Sequence, residues 1–147
     1  MVYIGADHRG YNLKEKVKEW LLEWGFDYED MGASDFDPGD DYPIFASAVA
    51  RKIEENGGKG IVICGSGAGV DIVTNKFDGV RSVFGINKQQ VAMAVKDDDA
   101  NVLAIASDFI SESDVRPMIE IFLRAEFSGE DRYKRRLEEI KKIEDNN

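Results

Sequence analysis

The chain is poor in residues that form cross-links or span membranes. It has one cysteine among 147 residues, so it cannot form an internal disulfide. No apolar stretch approaches the roughly 20 residues of a membrane-spanning helix, and Met1–Gly10 lacks the apolar segment of a secretory signal. These absences predict a cytoplasmic protein that does not insert into membranes.

Positive charge is also scarce. With 19 basic and 29 acidic residues the formal net charge is −10, which opposes binding to nucleic acids and to anionic membranes. The favoured partner is therefore a small molecule. Hydrophobic residues make up 43% of the chain, which is enough to build the core of one domain over residues 1–147.

The chain does have a regular alternation of short apolar runs and amphipathic segments. The amphipathic segments predict helices, with Gly25 ending the first, Pro43 at a first helical position of the second, and the last following Gly129. Asn87 caps a helix to about Val95, and Ser111 with Asp114 resembles a capping box. The apolar runs predict strands at Val2–Ala6, Phe26–Met31, Gly60–Cys64, Val80–Phe84 and Asn101–Ala106.

Strict alternation of strands and helices predicts parallel strands joined by right-handed crossovers. The expected fold class is α/β: a three-layer doubly wound, Rossmann-like sheet of about five parallel strands, with a C-terminal helix extending from the core. In such sheets ligands bind outside the carboxyl ends of the strands, near the point where the strand order reverses. The loops after the first, third and fifth strands are therefore the candidate binding loops.

Cys64 is the strongest candidate for chemistry in these loops. It ends an apolar run and starts a glycine-rich turn, in the sequence IVICGSGAGV at residues 61–70. A buried strand thus carries a thiol to the sheet edge, where the small turn residues let a ligand approach backbone N–H groups. A lone GSGAG is a weak motif, however, because tight strand-to-helix turns use glycine without any ligand.

The loop after the first strand carries Asp7 and His8, and His8 is the only histidine in the chain. Both residues leave a strand at the same sheet edge as Cys64. There a carboxylate could orient sugar hydroxyls, and an imidazole could hydrogen-bond a phosphate or a hydroxyl. A lone histidine is equally often a structural residue.

The last predicted helix holds the densest basic cluster of this acidic protein. Arg132 and Arg136 are spaced i and i+4, so they share one helix face and could together bind a phosphate. The alternative is a solvated face on which nearby glutamates pair with these cations.

The ordered set of motifs resembles type B ribose-5-phosphate isomerase and its relative, the two-subunit galactose-6-phosphate isomerase. The resemblance runs nearly from end to end, and its strength lies in the order and spacing of motifs that are unspecific singly. The motifs are GADHRG at 5–10, DYP at 41–43, CGSGAG at 64–69, NK at 75–76, GVRS at 79–82, NV at 101–102 and the pair Arg132 and Arg136.

The resemblance implies isomerisation of a phosphorylated aldose to a ketose through a cis-enediolate, with no metal and no organic cofactor. It implies that Cys64 is the general base, that Ser66 is its neighbour in the turn, and that Arg132 and Arg136 hold the phosphate. Asp7 and His8 contact the substrate. The resemblance also implies that backbone N–H groups of the turn bind the enediolate oxygen. The turn residues concerned are Gly65, Gly67, Ala68 and Gly69.

The chain departs from the family where the ring-opening histidine stands. The family pattern there is like HNDTNV, and this chain reads DDDANV at 97–102. We expect Asp97 to act as the base that removes the anomeric proton and Asp98 to contact the substrate. The alternatives are a solvated acidic loop and, because carboxylates bind Mg²⁺ or Ca²⁺, a metal site.

A second departure is Asp108, which stands where the family often has a phosphate-binding arginine. A carboxylate beside a phosphate dianion is repelled. Either Asp108 points elsewhere, or the phosphate sits differently, or the substrate presents a hydroxyl there.

The resemblance also implies an assembly, because in this family the cysteine and the ring-opening histidine come from different chains. A homodimer or a tetramer is expected. A chain with Cys64 but without that histidine could instead be one half of a hetero-oligomer. A third alternative is a sugar-phosphate binding module without catalytic activity.

Overall fold

The computed structural model describes residues 1–147. Its centre is a five-stranded sheet in which every neighbouring pair is parallel, in the order β2-β1-β3-β5-β4. The strands are β1 (Val2–Ala6), β2 (Tyr28–Asp30), β3 (Lys59–Cys64), β4 (Ser82–Phe84) and β5 (Val102–Ala106). The predicted parallel α/β fold is confirmed.

Helices cover both faces of the sheet, because alternate strand residues point to opposite sides. One buried cluster joins the sheet to α1, α4 and α5, and a second joins it to α2 and α3. The helices are α1 (Tyr11–Trp24), α2 (Tyr42–Asn56), α3 (Ala68–Thr74), α4 (Lys88–Asp98), α5 (Glu112–Arg124) and α6 (Asp131–Asp145).

The helix boundaries follow the local chemistry of the chain. Gly25 ends α1 in a left-handed conformation with φ 80°, which costs glycine little. The side chain of Asn87 accepts a hydrogen bond from Gln90 N, and that of Ser111 accepts one from Asp114 N. The predicted caps of α4 and α5 are therefore confirmed, while Pro43 is the second residue of α2 and not its first.

The C-terminal part of α4 differs from the sequence-based expectation. The helix continues through Asp98 instead of ending near Val95, so Asp97 and Asp98 are helical and the alternative of a solvated acidic loop is wrong for these two residues. The helix closes because Asp99 adopts a left-handed conformation with φ 49°, and its N–H donates to Val95 O at 3.1 Å. Arg81 donates to the Asp99 carboxylate at 3.0 Å and holds this turn.

Strands β2 and β4 are shorter than the apolar runs predict. Residues 26–27 and 80–81 lie outside the sheet. Arg81 O accepts from the N–H groups of both Asn101 and Val102, and Arg81 N donates to the Asn101 side chain. These contacts lie directly before the β4–β5 pair, whose first paired residues are Ser82 and Val102.

The last helix, α6, has no buried residue, in agreement with a helix that extends from the core. Ser128 N donates to Lys96 O before the helix, and Glu144 accepts from Gly79 N near its end. These contacts place α6 along the edge of the sheet where the strands begin. No helix combines the length and the apolar character that crossing a bilayer requires.

Candidate active site

The candidate site lies at the carboxyl edge of the sheet, where β1 and β3 are neighbours. Strand β2 lies on one side of β1, and β3 lies on the other side. The strand order therefore reverses between β1 and β3. The loops after β1 and β3 therefore flank the cleft in which doubly wound sheets bind ligands. These loops carry Asp7, His8 and the glycine turn that follows Cys64.

Cys64 is the last residue of β3 and is 4% exposed. Its side chain belongs to the core on the α2 and α3 side of the sheet, among Ala46 and Val70. Its carbonyl oxygen accepts hydrogen bonds from Ser107 N at 3.0 Å and Ser107 Oγ at 3.1 Å. The thiol is therefore held on a rigid strand end directly before the turn.

The turn after Cys64 needs glycine because other groups approach its backbone closely. A Cβ on Gly67, which has φ +70°, would lie 2.8 Å from the Phe84 ring and 2.9 Å from Ala106 N. A Cβ on Gly69 would lie 2.5 Å from the Tyr42 ring. Both glycines are thus required sterically, and Tyr42 lies against the turn.

Ser66 and Ala68 are the exposed members of this turn. Ser66 Oγ accepts a hydrogen bond from Ala68 N at 3.3 Å. Ser66, unlike Cys64, is therefore exposed to solvent.

Asp7 is buried, and its carboxylate organises the β1 loop. Its Oδ1 accepts from Arg9 N at 3.0 Å and from Gly10 N at 3.2 Å. Gly10 in turn packs against Ile63, because a Cβ on Gly10 would lie 2.6 Å from the Ile63 side chain. The β1 loop is thus fixed against β3, one residue before Cys64.

His8 is paired with Asp40, a residue of the acidic loop between β2 and α2. His8 Nδ1 lies 2.7 Å from Asp40 Oδ1, and the same oxygen accepts from His8 N at 2.9 Å. The Asp40 side chain is 9% exposed, its second oxygen has no hydrogen-bond partner, and the His8 side chain is 25% exposed. The carboxylate is therefore buried behind an imidazole that reaches solvent.

Asp7, His8 and Asp40 also form the one group of potential metal ligands in the protein, with one ligand atom from each within 4.8 Å of the others. One oxygen of each carboxylate is already hydrogen-bonded, Asp7 Oδ1 to backbone N–H groups and Asp40 Oδ1 to His8. The arrangement is that of an imidazole–carboxylate pair. The acidic run 97–99 does not form such a group.

Arg9 and Asp108 form an ion pair above the glycine turn. Arg9 donates to Asp108 Oδ2, and a Cβ on Gly65 would overlap the Arg9 guanidinium and lie 2.7 Å from that oxygen. Ser107 Oγ donates to Arg9 O at 2.9 Å, and Asp108 N donates to Gly65 O at 3.0 Å. The charge of Asp108 is thus matched by a cation from the neighbouring loop.

The other predicted residues lie at the opposite edge of the sheet. Helix α4 leads back to the start of β5, so its last residues Asp97 and Asp98 are near the amino ends of the strands. Strand β5 has five residues, and at roughly 3.3 Å per residue the two edges are about 13 Å apart. One chain therefore does not bring Asp97 or Asp98 to Cys64.

Arg132 and Arg136 lie on α6, along that same amino edge. Their guanidinium carbons are 4.8 and 5.6 Å from the centre of the Tyr133 ring. Charge interactions with Tyr133 and Glu130, together with their hydrogen bonds, raise the pKa of Arg132. The predicted shared helix face is present, but it is remote from Cys64 within the chain.

Comparison with known proteins covers nearly the whole chain. A family model described as "Ribose/Galactose Isomerase" matches residues 2–140. The chain is 39% identical over 145 residues to a probable ribose-5-phosphate isomerase B of Mycoplasma genitalium, covering 97% of this chain and 95% of that protein. It is 34% identical over 144 residues to ribose-5-phosphate isomerase B of Mycobacterium tuberculosis, covering 97% and 89%. The chain belongs to the ribose/galactose isomerase family.

Solved structures of this family have the same fold. The crystal structure of ribose-5-phosphate isomerase B from Mycoplasma genitalium with bound ribulose-5-phosphate has a TM-score of 0.94 at 37% identity and covers 99% of this chain and 97% of that one. The type B enzyme from Trypanosoma cruzi has a TM-score of 0.95 at 33% identity and covers 99% of both chains. The predicted family, its sugar-phosphate isomerase activity and the fold are therefore confirmed.

Three residues of the carboxyl-edge site were not predicted from the sequence. Tyr42 was visible only as part of the family's DYP motif, and its contact with Gly69 depends on how α2 packs on α3. Arg9 stands inside the GADHRG motif, but its pairing with Asp108 spans 99 positions of sequence. Asp40 is one of five acidic residues in the region from Asp30 to Asp41, and nothing in that run distinguishes it.

Proposed function

We propose that the chain interconverts ribose 5-phosphate and ribulose 5-phosphate, with Cys64 as the proton-transferring base. The observation that supports this most directly is the position of Cys64, buried at the end of β3 between the glycine turn and the loop that carries Asp7 and His8. The relatives named as ribose-5-phosphate isomerases support the same substrate.

In the proposed reaction the thiolate of Cys64 takes the proton from C2 of the open-chain aldose. The electron pair forms a cis-enediolate, and the proton of the O2 hydroxyl passes to O1. The Cys64 thiol, whose proton exchanges with solvent, then protonates C1, which leaves the ketose carbonyl at C2. The Ser66 hydroxyl and the N–H groups of residues 65–69 stabilise the developing oxyanion. Such donors contribute roughly 3 kcal/mol each in a preorganised site.

The phosphate and the far end of the sugar require a second chain. Arg132, Arg136, Asp97 and Asp98 lie at the amino edge, about 13 Å from the carboxyl edge by strand length. We therefore propose a two-chain site, in which the cysteine edge of one protomer faces the arginine edge of its partner. The prediction that Asp97 opens the sugar ring depends on this arrangement.

Arg9 supplies a cation on the cysteine side of that site. Its guanidinium uses one nitrogen for Asp108 and keeps further N–H donors free. The Arg9–Asp108 pair therefore explains how a carboxylate is tolerated at position 108: its charge is compensated before a phosphate approaches. Of the three alternatives for Asp108, this pair favours the first, a carboxylate that points at another group, here Arg9.

One observation favours a second candidate, a hetero-oligomeric isomerase. This chain has Asp97 where the family pattern has its ring-opening histidine, so a histidine-bearing paralogue could supply that residue. In this case the chain is the cysteine-bearing half of the enzyme.

Deuterium exchange tests the proposal. The purified chain is incubated with ribulose 5-phosphate in D₂O, and incorporation of deuterium at C1 is followed by NMR. We expect exchange with the wild-type protein, loss of exchange in Cys64→Ala, and retention in Ser47→Ala, which removes only a hydroxyl of α2 that bonds to Ile44 O. Equal exchange in the wild type and in Cys64→Ala contradicts the proposed mechanism.

The assembly is tested with the same assay. If the wild-type chain alone shows no exchange and a histidine-bearing paralogue restores it, the hetero-oligomer is the correct assignment. Binding of the sugar phosphate without exchange in either sample identifies a binding module.

A further inference from the structure

The proposed function leaves one chemical step without a residue of the same chain. Ribose 5-phosphate exists mainly as a furanose ring, and C2 can lose its proton only after the ring opens. Opening requires a base for the anomeric hydroxyl and an acid for the ring oxygen. Imidazole is the side chain best suited to give and take a proton near neutral pH.

His8 has the surroundings of such an acid–base group. Its Nδ1 is bonded to the Asp40 carboxylate at 2.7 Å, and its backbone N–H donates to the same oxygen at 2.9 Å. These two bonds fix the ring orientation and favour the tautomer with the proton on Nδ1, so Nε2 carries the free lone pair. The Phe36 ring packs against the imidazole in a T-shaped arrangement, with the two ring centres 6.4 Å apart and the ring planes at 82°.

Asp40 differs from an ordinary surface carboxylate in being almost completely buried. Its side chain is 9% exposed, and its Oδ2 has no partner. Burial of a carboxylate is costly unless a partner compensates it. The available partner is His8, which binds this carboxylate through both its ring nitrogen and its backbone N–H.

We propose that His8 opens the sugar ring, with Asp40 as its positioning residue, in the same chain that carries Cys64. This proposal rests on the proposed isomerase function and assigns to its site a step that Asp97 cannot perform within one chain. His8 lies on the loop that Asp7 and Gly10 fix against β3. The ring-opening group and the proton-transfer base are thus on neighbouring strand ends.

The step balances without any co-reactant. Nε2 of His8 takes the proton from the O1 hydroxyl, the O1 electrons form the C1 carbonyl, and the bond between C1 and O4 breaks. The imidazolium then returns its proton to O4. The products are the open-chain aldehyde and the neutral imidazole, ready for the transfer at Cys64.

A comparison of two activities on the same five-carbon phosphates tests the proposal. Turnover of ribose 5-phosphate requires ring opening. Exchange at C1 of ribulose 5-phosphate does not, because its 5-hydroxyl carries the phosphate and no furanose ring can form. A residue that only binds the phosphate affects both activities equally, whereas a ring-opening residue affects the first alone.

For His8→Gln we expect turnover of ribose 5-phosphate to fall by about 100-fold or more, the usual contribution of a general acid–base group, while exchange into ribulose 5-phosphate changes only severalfold. For Asp40→Asn we expect a split in the same direction of about 10-fold. Asp35→Asn removes an equal charge from an exposed residue of the same loop and is expected to leave both activities unchanged.

Three results overturn the proposal. Parallel loss of both activities in His8→Gln assigns His8 to binding. A split between the two activities in Asp97→Asn but not in His8→Gln assigns ring opening to Asp97. A wild-type chain that exchanges ribulose 5-phosphate but does not turn over ribose 5-phosphate lacks a ring-opening group. Absence of exchange in the wild type contradicts the proposed function itself, which keeps the two failures distinct.

Discussion

The two edges of the sheet carry different kinds of polar residue. At the carboxyl edge, Asp7, Asp40 and Cys64 are buried or nearly so, and the two carboxylates are bonded to neighbouring loop residues. At the amino edge, Asp98, Arg132 and Arg136 are exposed on helices. The carboxyl edge is preorganised within one chain, whereas the amino edge presents charges to a surface.

This difference has a topological cause. Parallel strands end together at one edge, and each following helix returns the chain to the other. Residues on strand-end loops therefore meet one another, while residues at the ends of α4 and on α6 meet at the opposite edge. A site that needs both sets is incomplete in one chain.

The largest expected effect comes from mixing two inactive variants. Cys64→Ala removes the base from the carboxyl edge, and Arg136→Ala removes a phosphate contact from the amino edge. If one site takes residues from two chains, random exchange of subunits gives heterodimers with one intact site, and about one quarter of wild-type activity returns.

The mixture is measured by ribose 5-phosphate turnover after subunit exchange in mild denaturant, with each variant exchanged alone as the control. If the mixture stays as inactive as its components, both residues serve a site within a single chain. A site shared between the carboxyl edge of one chain and the amino edge of another is then excluded.

A second effect tests how strongly the carboxyl side depends on buried charge. Lys14 is fully buried in α1 and lies 2.7 Å from the Asp30 carboxylate at the end of β2. Lys14→Met leaves that carboxylate with less compensation, so we expect a loss of about 3 kcal/mol in the free energy of unfolding.

The matched variant is Lys18→Met, since Lys18 contacts the same oxygen at 2.8 Å but is partly exposed. Its loss is expected to be about 1 kcal/mol or less. Urea titration followed by tryptophan fluorescence measures both, and equal losses would show that burial of Lys14 is irrelevant.

The same cluster predicts a pH dependence of stability. Burial opposes ionisation of Asp30, but hydrogen bonds from Lys14 and Lys18 outweigh it and hold the pKa of this carboxyl below its ordinary value. A carboxyl whose pKa is lower in the folded state stabilises the fold above its ordinary pKa, and this contribution is lost as pH falls through the folded value.

We therefore expect the urea midpoint of the wild type to fall between pH 5 and pH 3. In Asp30→Asn the midpoint is lower at pH 7 and changes less over this acid range. A variant with the same acid dependence as the wild type would remove Asp30 from the explanation.

The smallest expected effect on stability is at the amino edge. Arg132 is exposed on α6, so Arg132→Ala should leave the urea midpoint unchanged. The same variant should weaken binding of ribose 5-phosphate, but not of ribose, because only the former carries the charge that Arg132 contacts. Isothermal titration measures both ligands, and an equal change for the two would exclude Arg132 from the phosphate site.

The sequence was most informative where local chemistry decides the structure. The parallel α/β fold class could be predicted from the periodicity of apolar residues. Most helix boundaries followed from capping residues such as Asn87 and Ser111, and the position of the thiol followed from the glycine turn after Cys64. The end of α4 was mispredicted because it depends on Asp99 in a left-handed conformation, held by Arg81 from another loop. Acidic residues alone do not reveal that contact.

By itself the sequence determined the family and the parallel α/β fold, and it placed Cys64, Asp7 and His8 at strand ends, because these follow from patterns within short segments. Only the tertiary structure decided their partners: Asp40 for His8, Arg9 for Asp108, and Tyr42 for Gly69. It also decided that Arg132 and Asp97 lie at the edge of the sheet opposite Cys64. Such pairings join residues far apart in the chain, and their energies depend on burial and distance, which no single segment of sequence specifies.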